Sequence, residues 1–296
     1  MNARNSKVEV GGPHISLILF FMQIIFTDGL GNQMFQYALY LAMKAKGRHP
    51  KINTGIAFRS TVHNGFELCN VFQMEKASMP IVMNNIFLGG VTIFFTRYVK
   101  ASTFTEVVGF YDDSIYHTHK PFIYGYWQNI RYFEDVQDEV RMSFKFRNID
   151  DKNIILGNEM NNCNSVSIHI RRGDYLKYPQ YQICTPSYYK RAIDDINKKV
   201  DRPIFYIFSD DLEWSENLMK EIGGNYKIVD HNRGHESYKD LYLMTCCHHN
   251  ILANSSFSWW GAWLGNQEGK VVICPKIWKK DSDLNPQIES WVKIEP

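Results

Sequence analysis

From residue 165 onward, short apolar runs alternate with longer stretches of helical period. Ser165 to Ile170, Pro203 to Phe208, Tyr226 to Val229, His249 to Ala253 and Val271 to Cys274 are predicted strands. Between them, Ser187 to Lys199 (introduced by Thr185-Pro186), Leu212 to Ile222, Ser237 to Cys246 and Ser258 to Leu264 are predicted helices. Short strands joined through helices imply a parallel sheet with right-handed crossovers.

The first half is less regular. Met22 to Phe26 is a predicted strand running into Gly29-Leu30-Gly31-Asn32-Gln33-Met34-Phe35. Asn32 to Lys46 then places Met34, Tyr37, Ala38, Leu41 and Ala45 at helical spacing. Strand, glycine turn and helix open a Rossmann-like unit. Met34 fills the third glycine place of G-x-G-x-x-G, so a nicotinamide dinucleotide is not indicated. The pattern from Ile52 to about Phe146 is mixed. Ile86 to Phe95 is apolar around Gly89-Gly90 but too short to span a membrane. An aromatic strand, Phe122 to Gln128, precedes a helix-like stretch from Asn129 to Val140. Residues 147–164 are polar and Asn-rich and make the best domain boundary. The expected division is an extension over 1–21, one domain over 22–150 and a second over 160–296.

Composition narrows the class. With 296 residues, 45% hydrophobic and 22% charged, the chain is globular and long enough for two cores. A net charge of +2 argues against nucleic acid as a partner bound by bulk electrostatics, so any anion site must be local. Ile15 to Phe26 is apolar but short of the roughly 20 residues of a membrane span, and it fits a buried strand better. The six cysteines form no C-x-x-C pair and are expected to be reduced thiols. Cys246-Cys247-His248-His249 and Asp281-Ser282-Asp283 have metal-ligand residue types. The former continues an apolar helical pattern, and the latter lies in a polar loop near the C-terminus. No metal or other cofactor is expected.

The candidate chemistry lies at strand ends. His169-Ile170-Arg171-Arg172-Gly173-Asp174-Tyr175 follows the strand from Ser165, and the C-terminal ends of parallel strands are where α/β proteins bind ligands. Arginine forks fit phosphate oxygens, although a surface salt-bridged pair would have the same sequence. Ser209-Asp210-Asp211 and Asn254-Ser255-Ser256-Phe257 share that edge. A carboxylate of Asp210 or Asp211 can accept from the paired donors of a guanine. Ser255 and Ser256, just before a helix, can face phosphate at its positive end. Either set could equally cap the following helix. Gly31 and Asn32 form the corresponding turn of the first half, as a tight turn, a ligand contact or both. Tyr126, Trp127 and Gln128 are candidates for a sugar subsite, with core packing as the alternative.

Three stretches carry a family resemblance: Gly29 to Ala38, His169 to Tyr175, and Asn254-Ser255-Ser256-Phe257-Ser258-Trp259-Trp260-Gly261-Ala262-Trp263-Leu264. In that order they resemble the motifs of the bacterial α-1,2-fucosyltransferases, glycosyltransferase family eleven. The resemblance implies two Rossmann-like domains in a GT-B-like α/β architecture, GDP-fucose as donor, a terminal β-galactoside acceptor and inverting, metal-independent transfer. It implies that Arg171 holds the β-phosphate with Arg172 in support, and that His169 contacts the donor. Asp210 would read the nucleobase, Ser256 and Phe257 would contact phosphate and base, and Asn32 would face the donor from the other domain. Asp174 is left between catalytic base and scaffold. Another GDP-sugar transferase, or a non-catalytic glycan-binding protein, shares most of these features. The expected location is the cytoplasm, with peripheral association at the inner face of the membrane as an extension of that reading.

Overall fold

The computed structural model describes residues 21–57, 64–75, 79–82, 93–94 and 100–296. Most of the extension over 1–21, the start of the Ile15 to Phe26 run and nearly all of the Ile86 to Phe95 run therefore lie outside the described residues.

Two parallel sheets form the frame. In chain order the first half gives β1 (Gln23–Ile25), α1 (Leu30–Ala45), β2 (Lys51–Asn53), α2 (Leu68–Val71), β3 (Ile81–Val82), β4 (Thr103–Thr105), β5 (Phe122–Tyr124) and α3 (Gln137–Ser143). Then come α4 (Asp151–Asn161), β6 (Ser165–Ile170), α5 (Pro186–Lys199), β7 (Ile204–Ser209), α6 (Leu212–Ile222), β8 (Tyr226–Val229), α7 (Tyr238–Cys246), β9 (His249–Ile251), α8 (Ser256–Leu264), β10 (Val272–Pro275) and β11 (Val292–Ile294). The first sheet has the order β3-β2-β1-β5-β4 and the second β11-β10-β9-β6-β7-β8, every pairing being parallel.

Each order reverses at one point. The chain leaves β1 towards β2 and β3, then returns to place β5 on the other flank. It leaves β6 towards β7 and β8, then returns to place β9 on the other flank. Loops diverge at such reversals and leave a crevice beyond the strand ends. The loops after β1 and β5 and the loops after β6 and β9 are the ones that carry the sequence motifs. Two Rossmann-like α/β halves meeting across a cleft constitute the GT-B-like architecture that the sequence pointed to.

Several local expectations need correction. The polar segment 147–164 is not simply a linker: Asp151–Asn161 is helical, with Asp150 accepting from Asn153 N at its start. Its buried positions are Asn153, Gly157 and Met160, while Ile155 is exposed, so no apolar period announced it. Asn129 to Val140 is not one helix. Two 3-10 turns, Ile130–Tyr132 and Glu134–Val136, precede α3. β11, three residues long with an exposed lysine at its centre, went unread.

One core crosses the junction of the halves. Trp259, Trp260 and Trp263 of α8 pack with Phe35 of α1 and with Phe133, the Phe35 ring lying 4.7 Å from both Trp259 and Trp260. The Arg141 guanidinium sits 3.9 Å over the Trp263 ring and also donates to the Trp263 carbonyl. All six cysteines are free. Among the described residues no helix is long and apolar enough to cross a membrane.

Candidate active site

Register brings the arginine loop to its partner. β6 pairs with β7 so that His169 lies opposite Phe208 and Ile170 opposite Ser209, which sets Arg171 beside Asp210. Arg171 Nη1 is 2.8 Å from Asp210 Oδ2 and Nη2 is 2.5 Å from Asp174 Oδ1. Asp210 Oδ1 accepts from the Arg172 backbone N–H at 2.8 Å. Gly173 lies so close to this carboxylate that a Cβ would come within 2.7 Å of Asp210 Oδ2. The guanidinium is thus clamped between two acids at the sheet edge, with about a third of the side chain still open.

Both oxygens of Asp210 are therefore spent on the arginine loop, and the nucleobase-reading role suggested by resemblance is not the one its contacts describe. Arg172 and Asp211 turn away from the cleft altogether. Arg172 Nε is 2.9 Å from Asp211 Oδ2, its guanidinium stacks 4.1 Å over the Trp214 ring, and Asp211 caps α6 by accepting from Trp214 N. As donor contacts these two are corrected to buttresses of the loop.

The glycine turn and the start of α8 are in direct apposition. A Cβ on Gly31 would meet Ser256 C and Oγ at 2.7 Å and Phe257 N at 2.8 Å. Trp260 Nε1 donates to the Gly31 carbonyl at 2.9 Å, across 229 positions of sequence. Only a residue without a Cβ lets these backbones approach so closely. Ser255 caps α8 by accepting from Phe257 N, so the helix N-terminus, with its unpaired N–H groups, opens at the cleft beside Ser256. Asn254 ties the same loop to the chain beyond Arg171, donating to the Tyr181 and Trp278 carbonyls at 3.0 Å each.

The cleft encloses about 530 Å³ and is lined from both halves. His169, Arg171, Asp174, Asp210, Ser255, Ser256 and Phe257 line one side, and Gly31, Asn32, Tyr126 and Gln128 the other. Asn32 Oδ1 accepts from Gln128 Nε2 at 2.6 Å, joining the β1 and β5 loops. Trp127 is the exception. It is fully buried in the aromatic core with φ 60°, and it does not line the cleft. Its backbone N–H and that of Tyr126 bond the Glu106 carboxylate, which folds the β5 loop and sends Tyr126 outward and Trp127 inward. Burial raises the Glu106 pKa while those two N–H groups oppose the rise.

Electrostatics separates the remaining polar groups. Burial pushes the His169 imidazole down to about 4, partly opposed by the Asp210 carboxylate, so it is neutral at ordinary pH, and its Nδ1 has no partner among the described residues. Asp240, on the first turn of α7, is the carboxylate that sequence reading missed. Burial pushes it up to about 7, and Asn232 Nδ2 donates to it at 2.8 Å. Beside it the cleft wall is apolar, with Phe208, Met244 and Phe257. The signal was available: Asp240 follows the polar loop after a predicted strand, the same address as the other site loops. Cys246 and Cys247 are buried with thiols raised by burial, and His249 Nδ1 accepts from Val271 N, so this stretch is scaffold. Among the described residues no group of three or more His, Cys, Asp or Glu side chains is placed to hold a metal ion.

A cationic fork and an open helix N-terminus face a second domain across a cleft, an arrangement suited to an anionic ligand. The sequence matches Glycosyl transferase family 11 over residues 18–295, and the chain belongs to that family. It is 34% identical to an alpha-1,2-colitosyltransferase of Escherichia coli over 91% of this chain and 97% of that protein. It is 26% identical to the O-antigen biosynthesis glycosyltransferase WbnK of Escherichia coli, over 90% and 98%. The human galactoside alpha-(1,2)-fucosyltransferase 1 is 29% identical, over 40% of this chain and 33% of that one. Among solved structures, the fucosyltransferase NodZ from Bradyrhizobium is similar with a TM-score of 0.48 at 13% identity, covering 82% of this chain and 92% of that one.

Proposed function

We propose that the protein transfers L-fucose, or a closely related 6-deoxy sugar, from its GDP derivative to the 2-hydroxyl of a terminal β-galactoside. The carrying observation is the convergence of the clamped Arg171 and the N-terminus of α8 on one cleft. In this reading Arg171 and the first N–H groups of α8, with Ser256, hold the diphosphate. The guanine lies against Phe208, Met244 and Phe257 with its edge towards Asp240 and Asn232, a carboxylate offering two acceptors to its two parallel donors. Residues 160–296 are the donor domain and 22–150 the acceptor-side domain, with Asn32 facing the donor and Tyr126 and Gln128 the acceptor.

The nucleotide of such a donor is β-linked and the product α-linked, so transfer inverts the anomeric carbon. As the anomeric carbon–oxygen bond breaks, negative charge gathers on the β-phosphate. Arg171 is already fixed by Asp174 and Asp210, so it stabilises that charge without reorganising. Neutral His169, beside Arg171, adds a polar contact without adding charge.

The colitosyltransferase relative supports a second reading of the donor, since colitose is fucose without its 3-hydroxyl. A donor screen decides between them: GDP-fucose, GDP-colitose, GDP-mannose and UDP-galactose with lactose as acceptor, followed by nucleotide release and product linkage. Turnover of a GDP-6-deoxyhexose is the expected result. Preference for the UDP sugar, or GDP binding with no transfer from any donor, would overturn the assignment.

A further inference from the structure

Inversion needs a group that takes the acceptor's proton from the side opposite the leaving diphosphate. Five carboxyl residues line the cleft: Asp28, Glu67, Asp174, Asp210 and Asp240. Asp174 and Asp210 are ion-paired to Arg171, the group that faces the leaving diphosphate. Asp240 lies on the second half, against Asn232 and the apolar wall assigned to the base. Glu67 is buried and accepts from Asn64 at 3.0 Å. His169 is on the donor side, next to Arg171.

Asp28 differs from all of these. It lies in the loop after β1 on the first half, at that sheet's own reversal point, and among the described residues no cation lies within ion-pair distance of it. Its backbone has φ 61°, a left-handed conformation that is uncommon for a residue with a side chain and costs about 1 kcal/mol. The surroundings enforce it: Gln33 Nε2 donates to the Asp28 carbonyl at 2.8 Å, and Gln36 Oε1 accepts from Thr27 N at 3.1 Å. The carboxylate is oriented by Thr27 Oγ1 at 3.3 Å and by the Tyr126 hydroxyl. The phenol of Tyr126 is raised by burial and by its contact with Asp28, so it remains a donor. A turn held in an unfavourable conformation by three neighbours, delivering a carboxylate to the acceptor wall, is an arrangement with a cost and a use.

We propose that Asp28 is the general base of the transfer. It accepts the proton of the acceptor hydroxyl as that oxygen bonds to the anomeric carbon. The electron pair of the breaking anomeric bond leaves with the diphosphate, and the proton passes from Asp28 to solvent. Tyr126 is a positioning residue that holds the carboxylate towards the acceptor. The proposal rests on reading the cleft as a sugar-transfer site.

The test is Asp28→Asn, since asparagine also tolerates the left-handed turn, with Asp28→Glu beside it. Transfer kcat is expected to fall about 10²–10⁴-fold in Asp28→Asn, with GDP affinity within threefold of wild type. Asp28→Glu should recover part of the loss. Transfer within threefold of wild type in Asp28→Asn would overturn the proposal, and so would a parallel loss of transfer and GDP affinity. Absence of GDP binding by the wild-type protein would instead refute the reading beneath it, and the proposal with it.

Discussion

Replacing Asp240 with asparagine should stabilise the empty protein while weakening it as a nucleotide binder. Burial raises the Asp240 pKa from 3.8 to about 7. Between those values the folded protein holds a proton that the unfolded chain has released, so stability falls as pH rises through that window. The cost is absent below pH 4 and complete above pH 7. At about 1.4 kcal/mol per pH unit it amounts to at most about 4 kcal/mol. Asp240→Asn removes the charge and keeps an oxygen for the Asn232 amide. Urea unfolding at pH 4 should therefore find the two proteins alike, and at pH 8 the variant should be the more stable. Guanine would relieve the same burial by donating two hydrogen bonds to the carboxylate, each worth about 1.5–3 kcal/mol when the acceptor is charged. Calorimetry should show wild-type GDP affinity rising with pH through 7, and a loss of at least tenfold in the variant at pH 8. Equal pH dependence of unfolding for the two proteins would refute the electrostatic argument. Equal GDP affinity at pH 8 would refute the placement of the base.

Other consequences can be measured directly. Arg171→Lys keeps a charge but not the fork that two acids hold, and kcat should drop about 10²–10³-fold in initial-rate assays. Arg172→Ala removes only the buttress to Asp211 and the stack on Trp214, so kcat should change less than about tenfold. Gly31→Ala forces a methyl within 2.7 Å of Ser256 and strains the Trp260 bond. It should cost about 1–3 kcal/mol, read as a Tm several degrees lower together with weaker GDP binding, and an unchanged Tm would show that the junction can yield. His169→Gln should leave the pH profile between 5.5 and 8 unchanged in shape, because the imidazole is already neutral there.

The second half was legible because its pattern is governed by local physics. Its inner strands are buried on both faces and its helices present one apolar side, so period alone located β6 to β10 and α5 to α8 within a few residues. The motif loops were legible for the same reason, since the end of a parallel strand is a position in sequence as well as in space. What failed were elements whose burial is not apolar or whose length is too small for a period to register: α4 with its buried Asn153 and Gly157, the three-residue β11, and the 3-10 turns after Asn129.

Sequence also named loops that gather at the cleft more readily than the contacts of their residues. It presented Arg171 and Arg172 for phosphate and Asp210 and Asp211 for a nucleobase as one ligand-facing set, because adjacent ionisable residues look alike until side chains take directions. Pairing of β6 with β7 decided that Asp210 clamps Arg171 while Arg172 and Asp211 support from behind. The Glu106 carboxylate, 20 and 21 positions away, decided that Tyr126 faces the cleft and Trp127 the core. Residue type and strand end determined where chemistry would gather. Only the meeting of two sheet edges, with Gly31 against Ser256 and Asp28 across from Arg171's half, decided which groups share a cavity, since those contacts join segments that no local pattern relates.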